Sequence, residues 1–231
     1  MLRPPPLLTV SKWAERHRVL SSRASAEPGP WRTSRTPYLR EVMDALSTAH
    51  PARRVVFMKG AQVGATESGN CWIGYVLHHV PAPVLAVQST VELAKRFSRQ
   101  RIDPLVEEMP ALEARVAPAR ARDSGNTLLS KEFPGGILVL TGASSAVGLR
   151  SMTARSLFLD EVDAYLGDVE AEGPSAAGAA SWNGAGRAFA GRPLPVGYGL
   201  GLGAQGRHPL LMRCEGGAPS LTGDAGAQAG A

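Results

Sequence analysis

Short apolar strands alternate with helix-like segments between residues 54 and 159, and this alternation constrains the fold more than any other feature. Strands are predicted at 54–58, 84–88, 137–140 and 156–159. Helical periodicity predicts helices at 37–46, 66–78 and 90–101. The strands are continuously apolar, as is typical of strands buried on both faces. The pattern therefore predicts an α/β domain with a mainly parallel sheet covered by helices on both faces.

Composition divides the chain into three parts. Residues 1–30 form a proline-rich N-terminal extension with one amphipathic segment, 11–20, predicted as a helix capped by Ser11. Residues 31–170 contain the regular pattern and are expected to form one domain. The tail, 171–231, holds 15 of the 26 glycines and no lysine, and it shows no strand or helix period. We expect this tail to be disordered or non-native.

Length and charge exclude several classes of protein. None of the apolar runs in the 231 residues approaches the roughly 18 residues of a membrane span. Cys71 and Cys214 give neither a metal-binding spacing nor a disulfide framework. The sequence therefore predicts a soluble cytoplasmic protein with no membrane partner. The net charge of +5 is compatible with a nucleic-acid partner, and the excess of arginine over lysine is equally typical of a GC-rich gene.

The first chemical motif (Walker A) follows the strand at 54–58 and covers residues 59–66, from Lys59 to Thr66. A phosphate-binding loop needs flexible backbone, a hydroxyl for magnesium and a cation near the β- and γ-phosphates. Gly60 and Gly64 supply the first, Thr66 the second, and Lys59 the third from the opposite end of the loop to the usual lysine. An ordinary strand–turn–helix junction with an incidental lysine is the alternative.

The second motif (Walker B) is the apolar strand 156–159, which ends in Asp160 and Glu161. In phosphate-loop ATPases the first carboxylate holds magnesium and the second polarises the attacking water. An exposed acidic turn explains the charges but not the apolar strand before them. Lys59 and Asp160 are 101 positions apart, which leaves room for an intervening strand. Together the motifs predict an ATP- and Mg²⁺-dependent nucleotide hydrolase.

Four stretches of the chain resemble the ATPase domain of phage terminase large subunits of the GpA type. They are residues 31–33 with 36–44, 59–67, 141–151 and 157–165. The resemblance implies a three-layer P-loop NTPase fold of the ASCE type. In this family the loop's cation stands at its start, which fits Lys59.

The resemblance also implies the residues of the site. The nucleotide-binding set is Lys59, Gly60, Ala61, Gln62, Val63, Gly64, Ala65, Thr66 and Tyr38. Thr66 and Asp160 are expected to position Mg²⁺, with Glu161, Lys59 and Arg150 as catalytic residues. Tyr38 is expected to stack on the base, or else to be a core aromatic at a helix start. Leu39 stands where the family often has a glutamine that recognises adenine. A surface arginine is the alternative for Arg150.

As a function, the resemblance implies an ATP-driven motor that packages viral double-stranded DNA in the host cytoplasm. The implied partners are a terminase small subunit, the capsid portal and further copies of the chain in a ring. The family continues with another strand, a Ser/Thr-rich coupling motif and a nuclease domain, none of which we identify after Asp168. We therefore expect a truncated or frameshifted chain, with a sheet incomplete on its C-terminal side.

Two alternative functions remain open. One is a catalytically dead prophage remnant, and the other is a helicase-like ATPase that acts on nucleic acid without packaging. Arg96, Arg99 and Arg101 are candidates for contacts to DNA phosphates, or else form a solvated helix face.

Overall fold

The computed structural model describes residues 7–23, 25–59, 62–116, 126–145, 153–165 and 208–214. Its helices are α1 (Val10–His17), α2 (Leu39–Ala45), α3 (Ala65–His78), α4 (Val91–Phe97), α5 (Asp103–Glu107) and α6 (Pro110–Glu113). Its strands are β1 (Val19–Leu20), β2 (Gly29–Pro30), β3 (Arg54–Lys59), β4 (Val84–Gln88), β5 (Ser130–Phe133), β6 (Gly136–Gly142), β7 (Ser156–Leu159) and β8 (His208–Cys214). None of the described helices is both long and apolar enough to span a membrane.

Six strands form one mixed sheet in the order β3-β8-β7-β4-β6-β5. The four strands expected from the sequence, β3, β4, β6 and β7, are all present and run in the same direction. Strands β5 and β8 were not expected, and both run antiparallel to their neighbours. The sheet is therefore mixed, and among the described strands parallel pairing is confined to β4 with β6 and β4 with β7.

Strand β5 forms a hairpin with β6, and the tight connection uses the sequence Pro134-Gly135. Gly135 has a φ of 95°, a left-handed conformation that a residue with a side chain adopts only with strain. A Cβ on Gly135 would also lie 2.7 Å from Pro81 Cβ. The turn was visible in the sequence. The four-residue strand before it was not, because two of its residues, Lys131 and Glu132, are charged.

Strand β8 lies in the part of the chain, 171–231, where the sequence analysis expected no regular structure. It lies between β3 and β7 and pairs with both, so the described sheet is continuous. The edges of β3 and β7 that face each other carry backbone N–H and C=O groups that need hydrogen-bond partners. The backbone of β8, with its apolar residues 210–212, supplies these partners to both strands. Pro209 pairs only with β3 and lies beyond the register shared with β7. The remainder of the tail lies outside the described residues.

Buried apolar side chains form two clusters on opposite faces of the sheet. Strand β4 shows the division, with Val84 and Ala86 in the larger cluster and Leu85 and Val87 in the smaller one. All six described α-helices contribute their buried side chains to the larger cluster. Among the described residues, the second face carries the smaller apolar cluster and none of the six α-helices. The expectation of helices on both faces stays a prediction for that face.

Two helix boundaries differ from the sequence-based expectation. Helix α1 is capped by Thr9, whose hydroxyl accepts a hydrogen bond from the Lys12 amide, and not by Ser11. Ser11 Oγ donates instead to Asp44 Oδ1 at 2.6 Å, which joins α1 to α2. Helix α4 ends at Phe97 and continues as a π-helical turn, Ser98–Ile102. This wider turn changes which direction the following side chains face.

Helix α3 is buried along its length and positions the loop that precedes it. Two glycines let neighbours approach closely. A Cβ on Gly69 would lie 2.4 Å from Phe158 Cε2 of β7, and one on Gly74 would lie 2.6 Å from Trp13 Cη2 of α1. Helix α3 is thereby packed directly against β7, the strand that ends at Asp160.

Candidate functional site

A cavity of about 440 Å³ opens at the carboxyl ends of β3 and β7. It is lined by residues 62–64 of the β3–α3 loop, by residues 65–67 in the first turn of α3, and by Lys59, Arg101 and Glu161. Parallel strands with helices place their carboxyl ends together at one edge of the sheet, where ligands bind in open α/β folds. Gly60 and Ala61, which the sequence analysis assigned to the same loop, lie outside the described residues.

The loop holds its backbone in a conformation that exposes the first turn of α3. Gln62 and Gly64 both have left-handed backbones, with φ of 56° and 77°. Gly64 is the N-cap residue of this 14-residue helix, and no side chain caps it. Free N–H groups and the helix dipole favour an anion at such a terminus. A left-handed glutamine is strained, and strain of this kind is concentrated at functional sites.

The two sequence motifs meet at Thr66 and Asp160. Thr66 Oγ1, in the first turn of α3, donates a hydrogen bond of 3.3 Å to Asp160 Oδ2, 94 residues away. Asp160 directly follows β7 and is only 4% exposed. Lys59, the last residue of β3, is also buried at 8% exposure, and its charge acts on Asp160.

Burial raises the pKa of Asp160, while the positive charge of Lys59 partly opposes this shift. Asp160 Oδ1 is buried and has no hydrogen-bond partner among the described residues. A buried carboxylate oxygen without a partner, next to a threonine hydroxyl, is a donor set that suits Mg²⁺, which takes oxygen ligands from few protein groups and completes its shell with water and phosphate. The residues present therefore fit this metal.

Glu161 is exposed and lines the cavity immediately after Asp160. Its φ of 51° places a non-glycine residue in the left-handed region, which turns the chain sharply at the end of β7. This turn places the Glu161 side chain on the cavity wall, whereas the preceding Asp160 is buried and contacts the cavity-lining Thr66.

Comparisons with known proteins identify the family of the chain. Residues 25–181 match the family described as phage terminase large subunit gpA, ATPase domain. The chain belongs to this family. The match extends beyond both ends of the 31–170 domain set by the sequence analysis.

Two curated relatives are themselves terminase large subunits. That of Enterobacteria phage P21 is 30% identical over 172 residues, which are 74% of this chain and 26% of the relative. That of Escherichia phage lambda is 26% identical over 174 residues, which are 75% of this chain and 26% of the relative. The chain thus spans about a quarter of the length of these curated relatives. No solved structure matches it.

Within this terminase ATPase domain, Tyr38 is not a core aromatic, because its side chain is 40% exposed. Its hydroxyl donates to the carbonyl oxygen of Val63 at 3.0 Å and so attaches the start of α2 to the loop. Leu39 is fully buried, and its Cδ1 lies 3.2 Å from the position that a Cβ on Gly64 would occupy. Leu39 therefore packs against the loop at Gly64 from the protein core, and its side chain is not accessible to a ligand. Arg150 lies outside the described residues.

Sequence reasoning missed two residues at or near the candidate site. Tyr165 donates its hydroxyl to the Val87 carbonyl oxygen at 2.9 Å, and burial raises its pKa well above the ordinary value. This bond fastens the turn after Asp160 to the end of β4. Only the position of Tyr165 in the family-like stretch pointed to it.

Arg101 is the second missed residue, because the sequence analysis grouped it with Arg96 and Arg99. Those two side chains are exposed, whereas Arg101 lines the cavity and its Nη1 donates to Glu67 Oε1 at 2.9 Å. The helical wheel offered one signal, since residues two apart on a helix differ in direction by about 200°. That difference in direction could have separated Arg101 from Arg99, although the two were grouped as candidates for contacts to DNA phosphates.

Proposed function

We propose that the chain is the ATP-hydrolysing motor part of a viral DNA-packaging terminase, with a P-loop NTPase fold. One observation carries the proposal. The hydrogen bond of 3.3 Å between Thr66 and Asp160 joins the end of the first motif to the end of the second, beside the cavity formed by the loop. This is the arrangement that nucleotide-hydrolysing sites of this chemistry need.

Nucleotide binding falls to the loop and the first turn of α3. The backbone N–H groups of residues 60–66 and the Lys59 ammonium surround the phosphates, as the uncapped N-terminus of α3 favours an anion. Thr66 Oγ1 and Asp160 Oδ1, which has no hydrogen-bond partner among the described residues, would hold Mg²⁺. When bound, Mg²⁺ neutralises charge on the β- and γ-phosphates.

Hydrolysis falls to Glu161. Its carboxylate accepts a proton from a water whose oxygen forms a bond to the γ-phosphorus, while the bond from that phosphorus to the bridging oxygen breaks and ADP departs with that oxygen. Exposure of Glu161 to the cavity gives the water access. Lys59 stabilises the developing charge, and Arg150, on the strength of the resemblance alone, does the same.

The larger assembly is part of the proposal. The curated relatives are named terminase large subunits, and the present chain matches about a quarter of each. We propose that this part acts on double-stranded DNA together with a terminase small subunit, the capsid portal and further copies of the chain in a ring.

The test is steady-state ATP hydrolysis by the purified chain with Mg²⁺, beside Glu161→Gln and the control Glu92→Gln. Glu92 is an exposed residue of α4 outside the cavity. We expect Glu161→Gln to lower turnover by about 10²–10⁴-fold, because the general base is lost. Mg²⁺–nucleotide binding should persist, because the phosphate-binding loop is unchanged. Glu92→Gln is expected to match the wild type.

Other outcomes have defined meanings. If the wild type binds nucleotide and does not turn it over, the chain is a catalytically dead descendant of the family. If the folded wild type binds no Mg²⁺–nucleotide at all, the proposed site is wrong.

A further inference from the structure

Arg101 lies on the wall of the cavity, although it belongs to an element remote from both motifs. It sits in the π-helical turn Ser98–Ile102, and its side chain is 37% exposed. A single-turn widening of this kind is often found at functional sites. The side chain reaches the first turn of α3, where it contacts Glu67, the neighbour of Thr66.

The turn that carries Arg101 is fixed on both sides by the β5 region. At its first residue, Ser98 Oγ donates to the carbonyl oxygen of Leu128. After it, Lys131 Nζ of β5 lies 3.0 Å from Asp103 Oδ1, and both side chains are largely shielded from solvent. Arg101 is therefore presented to the cavity by a braced backbone, which lowers the conformational entropy lost when its guanidinium binds an anion.

Glu67 has two arginine partners, and it needs only one of them. Its Oε2 accepts from Arg18 Nη2 at 3.0 Å, and the Arg18 side chain is only 3% exposed. Its Oε1 accepts from Arg101 at 2.9 Å and from Asn70 Nδ2 at 3.3 Å. If Arg101 moved away, each carboxylate oxygen would keep a hydrogen bond, and the buried Arg18 charge would keep its counter-ion.

Arg101 adds a second positive charge beside the Glu67 carboxylate, and its side chain lines the cavity. A guanidinium is planar and matches phosphate oxygens with two parallel hydrogen bonds. A phosphate chain also offers more negative charge than the shared Glu67 carboxylate. The cavity already joins this arginine to the loop of Lys59 and Thr66.

We propose that Arg101 is a phosphate ligand of the nucleotide, and that it exchanges Glu67 Oε1 for phosphate oxygens when the nucleotide binds. This inference rests on the proposed function, because it names a further ligand within the same site. Glu67 holds Arg101 in place before binding, and Arg18 with Asn70 satisfies Glu67 afterwards.

The experiment compares Arg101→Gln with Arg99→Gln, a control on the same turn whose side chain is exposed and does not line the cavity. The probes are MgATPγS and inorganic tripolyphosphate, the second as a competitor that carries phosphates without a base. We expect Arg101→Gln to weaken the binding of both probes by about tenfold, because a charge-assisted hydrogen bond is lost. Arg99→Gln is expected to stay within about twofold of wild type.

The glutamine side chain can still donate a hydrogen bond to Glu67, so we expect the variant to fold, with near-UV circular dichroism as the check. If Arg101→Gln does not fold, Arg101→Lys is used in its place. Because lysine keeps the positive charge, this variant is expected to lose less affinity than Arg101→Gln. Affinity within about threefold of the wild type in a folded Arg101 variant overturns the proposal. So does a loss seen with MgATPγS and not with tripolyphosphate. A wild type that binds neither probe overturns the proposed function as well, which separates the two failures.

Discussion

Asp160 is subject to two opposing requirements at the scale of a single residue. Its burial raises its pKa and favours the protonated form, whereas a role in holding Mg²⁺ requires the carboxylate. Lys59 reduces the conflict but does not remove it. A residue that weakens the fold in the form needed for function is a common feature of active sites, and here it gives a measurable consequence.

We expect Asp160→Asn to raise the stability of the fold near neutral pH while abolishing Mg²⁺-dependent nucleotide binding. Because the folded-state pKa is raised, the folded chain binds the proton more tightly than the unfolded chain. The stability linked to this proton is fully present below the ordinary aspartate pKa of 3.8 and is lost as pH rises through the raised value. The Asp160→Asn variant does not lose this stability as pH rises, because asparagine does not ionise.

Melting temperatures of the wild type and Asp160→Asn, measured from pH 4 to pH 8 without nucleotide, check this prediction. The difference in favour of the variant should widen as pH rises and then become constant. A difference that stays constant from acid to neutral pH would show that Asp160 does not titrate as its burial requires.

At the scale of secondary-structure elements, the sequence predicted what depends on local pattern. Helix α3 was expected at 66–78 and occupies Ala65–His78, and strand β4 has the expected bounds. Strands β5 and β8 were missed, because a short charged strand and a short apolar strand in a glycine-rich tail are defined by their partners and carry no period of their own.

The candidate site divides in the same way. The loop residues and the two carboxylates were identified from local motifs, and the structure brings Thr66 and Asp160 together. The contribution of Arg101 depends on where a π-helical turn places its side chain. The bond from Tyr38 to the Val63 carbonyl oxygen depends on how α2 packs on the loop. Neither the direction of the Arg101 side chain nor the Tyr38–Val63 hydrogen bond can be predicted from a local sequence pattern.

The contact between α3 and β7 gives the prediction at this scale. Gly69→Ala should destabilise the fold by about 1–3 kcal/mol, because the new Cβ would lie 2.4 Å from the Phe158 ring. Urea denaturation measures the loss. Phe158→Leu removes the ring, so the double variant should lose less than the sum of the two single variants. Strict additivity would mean that the two residues are not in contact.

At the scale of the whole molecule, the site depends on a strand far away in the sequence. Lys59 ends β3 and Asp160 follows β7, and these two strands are not neighbours. Strand β8 lies between them and pairs with both. The relative position of the two motifs thus depends on the backbone pairing of β8 with both strands.

Leu211 lies in the middle of that segment and is in register with both Val56 of β3 and Leu159 of β7. Leu211→Pro should therefore destabilise the fold by about 3 kcal/mol, since proline removes a backbone donor from a strand with a neighbour on each side. MgATPγS affinity should fall as well, because β3 and β7 lose their common partner. Leu211→Val, which keeps the amide, is the matched control and should resemble the wild type in both urea denaturation and nucleotide titration. If the proline variant matches it in both measurements, β8 does not hold the two motifs together.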